Sequence, residues 1–497
     1  MHFYTSVFTR GNRVYVRGYK DGKRFSYIDN VKPYLFVPAA GGKYTTLDKR
    51  EVDKLQFDSA QDARQFTEKY QGVEGFDFFG STSWAYTWIY DNFPGEINYV
   101  PNVVSVISMD IETTMRTGFP KIDIANNKIT SIALRRNRKS LIFSTLDYVP
   151  PDDSIEYVKC RDEVELLSKF LDRWNSDWSP DIVTGWNVEF FDVTYVINRI
   201  KVVLGEEQAK RMSPWKMISQ RTVEFRGKTS IAYDVAGIAI LDYLQLYRKF
   251  SFKNQESYKL DYIAEVECGA RKVAYDEYRD LDELMEKDPQ KYITYNNHDN
   301  VLVLDELDNK LRFIEQIMAL AYDAKVNYND TLTTVKMWDT IIHNYLMDRN
   351  IVIPQKKEVI GDMSIPGGFV KDPGSGDFQW IVSFDLNSLY PHLIMQYSIS
   401  PENFVVRRDV DIDDLLNIIE SGALECDNIP LRQTSTFHAL QWAHENDYVL
   451  AANGCCYRRD RQGFLPALME KLYTDRTVYK KKMIEAKKKK ELIEEEL

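Results

Sequence analysis

The hydrophobic pattern changes period along the chain, and each change predicts a different set of elements. Residues 1–102 open with short strand-like runs, FYTSVF, RVYVRGY and PYLFVP, separated by turn signals at Gly11-Asn12 and Asp21-Gly22. One helix interrupts them: Ser59 is placed to cap it, Phe66 and Tyr70 share a face, and Gly72 ends it. From Val103 the run VVSVISMDIE reads as a buried strand, with KITSIALR and SLIFST as partners, while EVELLSKFLDRW places apolar residues at 164, 166, 167, 170, 171 and 174, a helical spacing. Strands followed by helices continue to about residue 322, which predicts an α/β domain with its strands buried on both faces. Residues 323–365 return to mixed character and contain the amphipathic TVKMWDTIIHNYL, Pro366-Gly367-Gly368 marks a break, and from Gly463 one helical pattern runs to the last residue. The expected fold class is α/β and multidomain. It has a mixed β domain over 1–102 (with 323–365 returning to it), an α/β domain over 103–322, a third piece over 366–462 and a terminal helix over 463–497.

Composition narrows the class. At 497 residues, 44% hydrophobic and 28% charged, the chain is ordinary globular material of three or four domains, which excludes wholesale disorder. No stretch approaches the roughly 20 apolar residues of a membrane span, and the first residues lack the apolar run of a signal peptide. Five cysteines without a CxxC pair fit a reducing cytoplasm and argue against a structural zinc site. The net charge of −11 argues against a uniformly basic nucleic-acid coat but is compatible with a local basic channel.

Four carboxylates carry the first chemistry. Asp110 and Glu112 end a strand and, at period 2, face the same side, roughly 6–7 Å apart. Asp192 stands where TGWNVEFFDVTYVINRI passes into an amphipathic helix, and Tyr295 and Asp299 lie four apart on one helical face. Taken singly, each has a bland reading: a solvated strand cap, a helix N-terminal acid, a Tyr–Asp surface pair. Brought to one sheet edge, the four carboxylates repel one another unless cations are present. Two Mg²⁺ ions about 3.5–4 Å apart would neutralise them and form a phosphoryl-transfer clamp, with Tyr295 orienting the attacking water.

DIET at 110–113, Asn187-x-x-x-Phe191-Asp192 and Tyr295-x-x-x-Asp299, in this order and spacing, resemble the three exonuclease motifs of family B DNA polymerases. The resemblance implies a 3′→5′ proofreading exonuclease with a ribonuclease H-like fold over 103–322, using Asp110, Glu112, Asp192, Tyr295 and Asp299, with two Mg²⁺ ions on the four carboxylates.

The second chemistry lies in WIVSFDLNSLYPHLIMQYSISPE. An apolar strand delivers Asp385 as a metal ligand. The turn Leu386-Asn387-Ser388-Leu389 offers its amides to a triphosphate, and Tyr390-Pro391 opens a helix, setting the Tyr390 ring beneath an incoming sugar. The bland alternative is an ordinary strand–turn–helix with a capping Asp. The string resembles the first polymerase motif of the same family, which implies that Asp385 and the Leu386 carbonyl hold the polymerase metals and that Tyr390 rejects ribonucleotides. GFLPALMEKLYTDRTVYKKKM resembles the first fingers helix of T-even-type phage enzymes, which sets Arg476 and Lys480 on one face toward a triphosphate, where a solvated basic face is the alternative. By the same resemblance, 366–462 is a partial palm and 463–497 a fingers helix.

Two departures matter. The Ile365-Pro366-Gly367-Gly368 linker lacks the Tyr of the Y-x-G-G form, and nothing resembles the K-x-x-x-N-S-x-Y-G or D-T-D-S motifs that follow the fingers in this family. The expectation is therefore the N-terminal part of a replicative DNA-directed DNA polymerase. Its substrates are primer-template, single-stranded 3′ ends and dNTP. A second, C-terminal polypeptide completes nucleotidyl transfer and recruits any sliding clamp. The setting is the cytoplasm of a phage-infected host. Met483, Ala486, Ile493 and Leu497 form the seam for that partner. The alternatives are a freestanding 3′→5′ exonuclease and a non-enzymatic single-strand nucleic-acid scaffold using aromatics and the LRRNRK run (134–139).

Overall fold

The computed structural model describes all residues except 117, 226–227, 252, 271–272, 299–301, 356–371, 373, 422–431 and 497, and the side chains of 225, 228 and 494–496. Asp299, the Pro366-Gly367-Gly368 break and Leu497 therefore lie outside the described residues. The chain divides into two units, one formed by 1–35, 55–76 and 81–344, the other by 36–54, 77–80 and 345–497.

The first unit opens with an antiparallel meander of β1 (His2–Arg10), β2 (Arg13–Lys20) and β3 (Lys23–Asn30). Asp21 and Gly22 both take positive φ in the two-residue turn between β2 and β3, the twist such a hairpin needs. β4 (Tyr34–Pro38), β5 (Tyr44–Thr46) and β6 (Glu51–Gln56) follow and join a sheet taken up below. The Ala60–Tyr70 helix is capped by Ser59, whose side chain accepts from the Asp62 amide, and Phe66 meets Tyr70 at 4.7 Å between ring centres.

A six-stranded sheet forms the centre of this unit. Its strands are β7 (Val106–Thr113), β8 (Ile129–Arg136), β9 (Lys139–Ser144), β10 (Ile155–Lys159), β11 (Ile182–Gly185) and β14 (Ala239–Asp242), in the order β10-β9-β8-β7-β11-β14. β8 runs antiparallel to β7 and β9, and the other neighbours are parallel. β12 (Ile218–Phe225) and β13 (Lys228–Val235) make a separate hairpin. The Glu163–Trp174 helix buries Leu166, Leu167, Phe170, Leu171 and Trp174 against the sheet, while Val164, sixth of the expected stripe, is exposed in its first turn.

Behind β11 lies a buried ionic cluster. Asp181 is fully buried, and its Oδ2 accepts from the Tyr19 hydroxyl (2.7 Å), Arg24 Nη2 (2.7 Å) and the Ser105 amide (2.9 Å). Arg17 Nε stands 3.4 Å from Oδ1, and burial lowers the pKa of its guanidinium.

In the second unit, β15 (Ile351–Val352) runs parallel to β5, pairing Ile351 with Thr45 and Val352 with Thr46, in a sheet ordered β15-β5-β6-β4. The Leu389–Gln396 helix packs on the long Phe464–Glu496 helix, and strands Phe404–Arg407, Cys455–Arg458 and Tyr448–Leu450 form a small antiparallel sheet. The strand expected before Asp385 is not formed: residues 374–386 pair with no neighbour, and Trp380 and Phe384 are 96% and 90% exposed. A strand exists only with a partner for its amides and carbonyls, and among the described residues none lies beside this run. No helix among the described residues is long and apolar enough to cross a membrane.

Candidate active site

β7 carries Asp110 and Glu112 half-buried on one face, alternating with the buried Met109 and Ile111. Its pairing with β11 covers only Val106, Ile107 and Ser108, so β7 runs on past the end of β11 beside β8 alone. Gly185 closes β11 against it: a Cβ there would stand 2.7 Å from the Met109 carbonyl oxygen and 2.8 Å from Val188 Cβ. The chain then turns through Asn187, at φ 63°, and returns as the Asp192–Leu204 helix. Asp242 shapes this turn by accepting from the amides of Asn187 (3.0 Å) and Leu244 (3.0 Å), and burial beside Glu189 pushes its carboxyl pKa up to about 6.

Asp192 does not cap its own helix. Its Oδ1 accepts from the Ile111 amide at 3.0 Å, between Asp110 and Glu112 on the part of β7 that β11 has left. The side chain is buried, and its pKa is raised well above the carboxylate range, first by burial and then by the charge of Asp110, with Glu112 adding to it. Three of the four carboxylates singled out from the sequence thus meet electrostatically, and the fourth, Asp299, lies outside the described residues. Among the described residues, no three His, Cys, Asp or Glu side chains form a ready metal cage.

The Pro289–Asn297 helix approaches the same face of the sheet. Tyr292 OH meets Thr130 Oγ1 at 2.7 Å, and that hydroxyl donates to the Glu112 carbonyl. Asn296, completely buried, donates from Nδ2 to Asp110 Oδ2 at 2.6 Å. Tyr295 packs edge-on against Tyr275, 5.4 Å between ring centres, and both line a groove of about 890 Å³ with Trp186, Tyr258 and Leu260. Flat rings around an open groove can stack on an unpaired base; the carboxylates that share this lining are Asp261, Glu265 and Asp276.

In the second unit, Asn387 and Ser388 form a turn with Ser388 at φ 53°, and Leu389 and Tyr390 begin the following helix. Arg476 Nη1 reaches Ser388 Oγ at 3.4 Å, Asn387 Nδ2 reaches Tyr473 OH at 3.4 Å, and His392 meets Tyr473 edge-on at 4.7 Å. The expected triphosphate turn and the expected basic helix face are therefore neighbours. Asp385, Leu386 and Tyr390 are exposed, and Lys480 lies exposed one turn beyond Arg476.

Residues 90–263 match the model for DNA polymerase family B, exonuclease domain, and residues 333–496 the model for DNA polymerase family B. The chain belongs to DNA polymerase family B. It is 31% identical over 528 residues to the DNA-directed DNA polymerase of Escherichia phage RB69, covering 100% of this chain and 55% of that one. Against the DNA-directed DNA polymerase of Enterobacteria phage T4 it is 29% identical over 510 residues, covering 97% and 54%. DNA polymerase II of Escherichia coli (strain K12) is 25% identical over 309 residues, 60% of this chain and 37% of that one. The chain thus spans about half the length of the phage relatives it matches.

Within this family B chain, sequence reasoning passed over Asn296 and Tyr275. The available signal was helical spacing: Tyr292 and Asn296 stand four residues apart on the Pro289–Asn297 helix. The LRRNRK run is turned to a different use. Arg135 pairs with Asp305, and Arg136 lies 4.9 Å over the Trp178 ring while donating to the Asp177 carbonyl, so two of its basic groups serve folding.

Proposed function

We propose that this chain carries the 3′→5′ editing site of a DNA-directed DNA polymerase, with Asp110, Glu112, Asp192 and Asp299 as its metal-binding carboxylates. The observation that carries the reading is Asp192 held by the Ile111 amide between Asp110 and Glu112, with its acidity suppressed by burial and by Asp110. A carboxylate forced among others in this way is a site where binding a cation relieves stored repulsion, so the donor set fits Mg²⁺. Asp110, Glu112, Asp192 and Asp299 would hold the ion, which would supply Lewis acidity to the phosphoryl group under attack. The protein's own residues do the rest: the groove rings of Trp186, Tyr258 and Tyr275 hold an unpaired terminal nucleotide, and Tyr295 orients the attacking water. The sheet order β9-β8-β7-β11-β14, with only β8 antiparallel, supports a ribonuclease H-like assignment for this part.

The second unit we read as half of a synthesis site: partial palm over 366–462 and first fingers helix over 463–497. Asp385 and Leu386 hold metal, Asn387, Ser388 and Leu389 offer amides to the dNTP triphosphate, Tyr390 lies under its sugar, and Arg476 with Lys480 meets the phosphates. The Arg476–Ser388 proximity supports this grouping. Nucleotidyl transfer on primer-template then requires a further carboxylate from beyond residue 497, on the same polypeptide or on a second one, and any sliding clamp would be recruited through that part.

The test uses 5′-labelled single-stranded DNA and Mg²⁺. Stepwise shortening from the 3′ end is expected, and it vanishes in Asp110→Ala/Glu112→Ala. Equal digestion by that double variant would refute the assignment.

A further inference from the structure

Asn296 is an unusual occupant of its position. It is completely buried near the middle of the sheet face, where an apolar side chain would pack at no polar cost. Its amide is instead spent on two contacts: Nδ2 donates to Asp110 Oδ2 at 2.6 Å, and Oδ1 accepts from Ser131 Oγ at 2.9 Å. The direction of the amide is decided by chemistry, because a carboxylate only accepts and so must face the NH₂ end. Ser131 in turn is the residue of β8 directly across from Glu112. A single chain of hydrogen bonds therefore runs from the strand position opposite one carboxylate, through the helix, to the other carboxylate.

We propose that Asn296 is a positioning residue for metal capture, fixing the Asp110 carboxylate in its ligating orientation before a cation arrives. The proposal rests on the editing-site reading above. The contact is charge-assisted and short, the kind that locks a rotamer. A neutral donor suits the task better than a Lys or Arg. It restrains Asp110 without cancelling the negative charge that attracts the cation, and it adds no second positive charge to repel it. Asn296 also ties the Pro289–Asn297 helix, which carries Tyr295, to the strand pair that carries Asp110 and Glu112. Partners of this kind are worth about 10–100-fold in metal affinity.

The test measures Mn²⁺ binding to the full chain by electron paramagnetic resonance, without DNA, beside thermal melting of each variant. Asn296→Ala is expected to weaken Mn²⁺ binding by about 10–100-fold, and Ser131→Ala, which only frees the far end of the amide, by less. Ile293→Val, a cavity in the same buried helix that touches no carboxylate, is the stability control and is expected to bind Mn²⁺ like the parent. Should Asn296→Ala melt too early to be measured, Ser131→Ala alone decides. Parent-like Mn²⁺ affinity in a folded Asn296→Ala, or in Ser131→Ala where that variant decides, overturns the proposal. So does equal weakening in Ile293→Val, which would make the effect one of stability. Asp110→Ala separates the two levels: if it too binds Mn²⁺ like the parent, the editing-site reading itself falls.

Discussion

Replacing Asp181 tests how the first unit holds its β1–β3 meander to the central sheet. The carboxylate is fully buried and takes hydrogen bonds from the Tyr19 hydroxyl, Arg24 and the Ser105 amide, with Thr5 Oγ1 at 3.3 Å and Arg17 Nε at 3.4 Å on its other oxygen. Asp181→Asn keeps the volume but exchanges one acceptor oxygen for an NH₂ group that must face a donor. It also strands the buried Arg17 guanidinium, whose charge burial already disfavours. Breaking one side of a buried ion pair costs about 3–5 kcal/mol, more than a surface pair returns by a wide margin. At roughly 2 °C per kcal/mol for a unit of this size, melting should fall by about 6–10 °C. The assay is thermal and urea unfolding of Asp181→Asn, Arg17→Met and the double variant. The double variant should cost clearly less than the sum of the two, since the buried Arg17 charge is then removed together with its carboxylate and only the partly exposed Arg24 loses its partner. A loss under about 1 kcal/mol for Asp181→Asn, or strict additivity, would refute the claim that the cluster is desolvated and mutually dependent.

Gly185→Ala should cost about 1–3 kcal/mol and reduce 3′-end digestion, because its Cβ would press on the Met109 carbonyl and on Val188; melting and the exonuclease assay check this. Asp242 has a folded pKa of about 6 against an ordinary 3.8, so between those values the folded state holds the extra proton and stability falls as pH rises. Asp242→Asn, which can still cap, should remove about 3 kcal/mol of that decline between pH 4 and pH 7, read as a flatter dependence of the urea midpoint on pH. Tyr390→Ala, in an enzyme with its complete palm, should raise ribonucleotide incorporation; unchanged discrimination would count against the proposed sugar contact.

How far the sequence reached depended on what each signal encodes. Local chemistry was legible: the Ser59 cap, the buried stripe of the Glu163–Trp174 helix and the apolar run of β7 all formed where side-chain pattern alone required them. Asp192 stands in the first turn of its helix, as its bland reading has it, but it also accepts from an amide 81 residues away in sequence, which no pattern carries. Asn296 shares a helical spacing with Tyr292, but spacing alone does not make an asparagine a ligand's partner; only the tertiary approach of β7 and β8 makes it a donor to Asp110. The run before Asp385 shows the reverse failure. Its apolar residues ask for a strand, yet strand formation is a property of two chains side by side, and hydrophobicity in one cannot supply the other.

The parallel pairing of β15 with β5 has a consequence for biosynthesis. Thr45 and Thr46 are made early, while Ile351 and Val352 emerge about 300 residues later. At roughly 5–20 residues per second, the ribosome takes about 15–60 s to deliver them. Through that interval β4, β5 and β6 are a three-stranded sheet with the β5 flank uncapped, the smallest size at which β structure holds by itself. The meander of the first unit waits almost as long, since the Tyr4 hydroxyl donates to the Val326 carbonyl and the Val7 amide to Asn327. Translation speed, and whatever chaperone guards a nascent strand edge, therefore bear on the yield of both units.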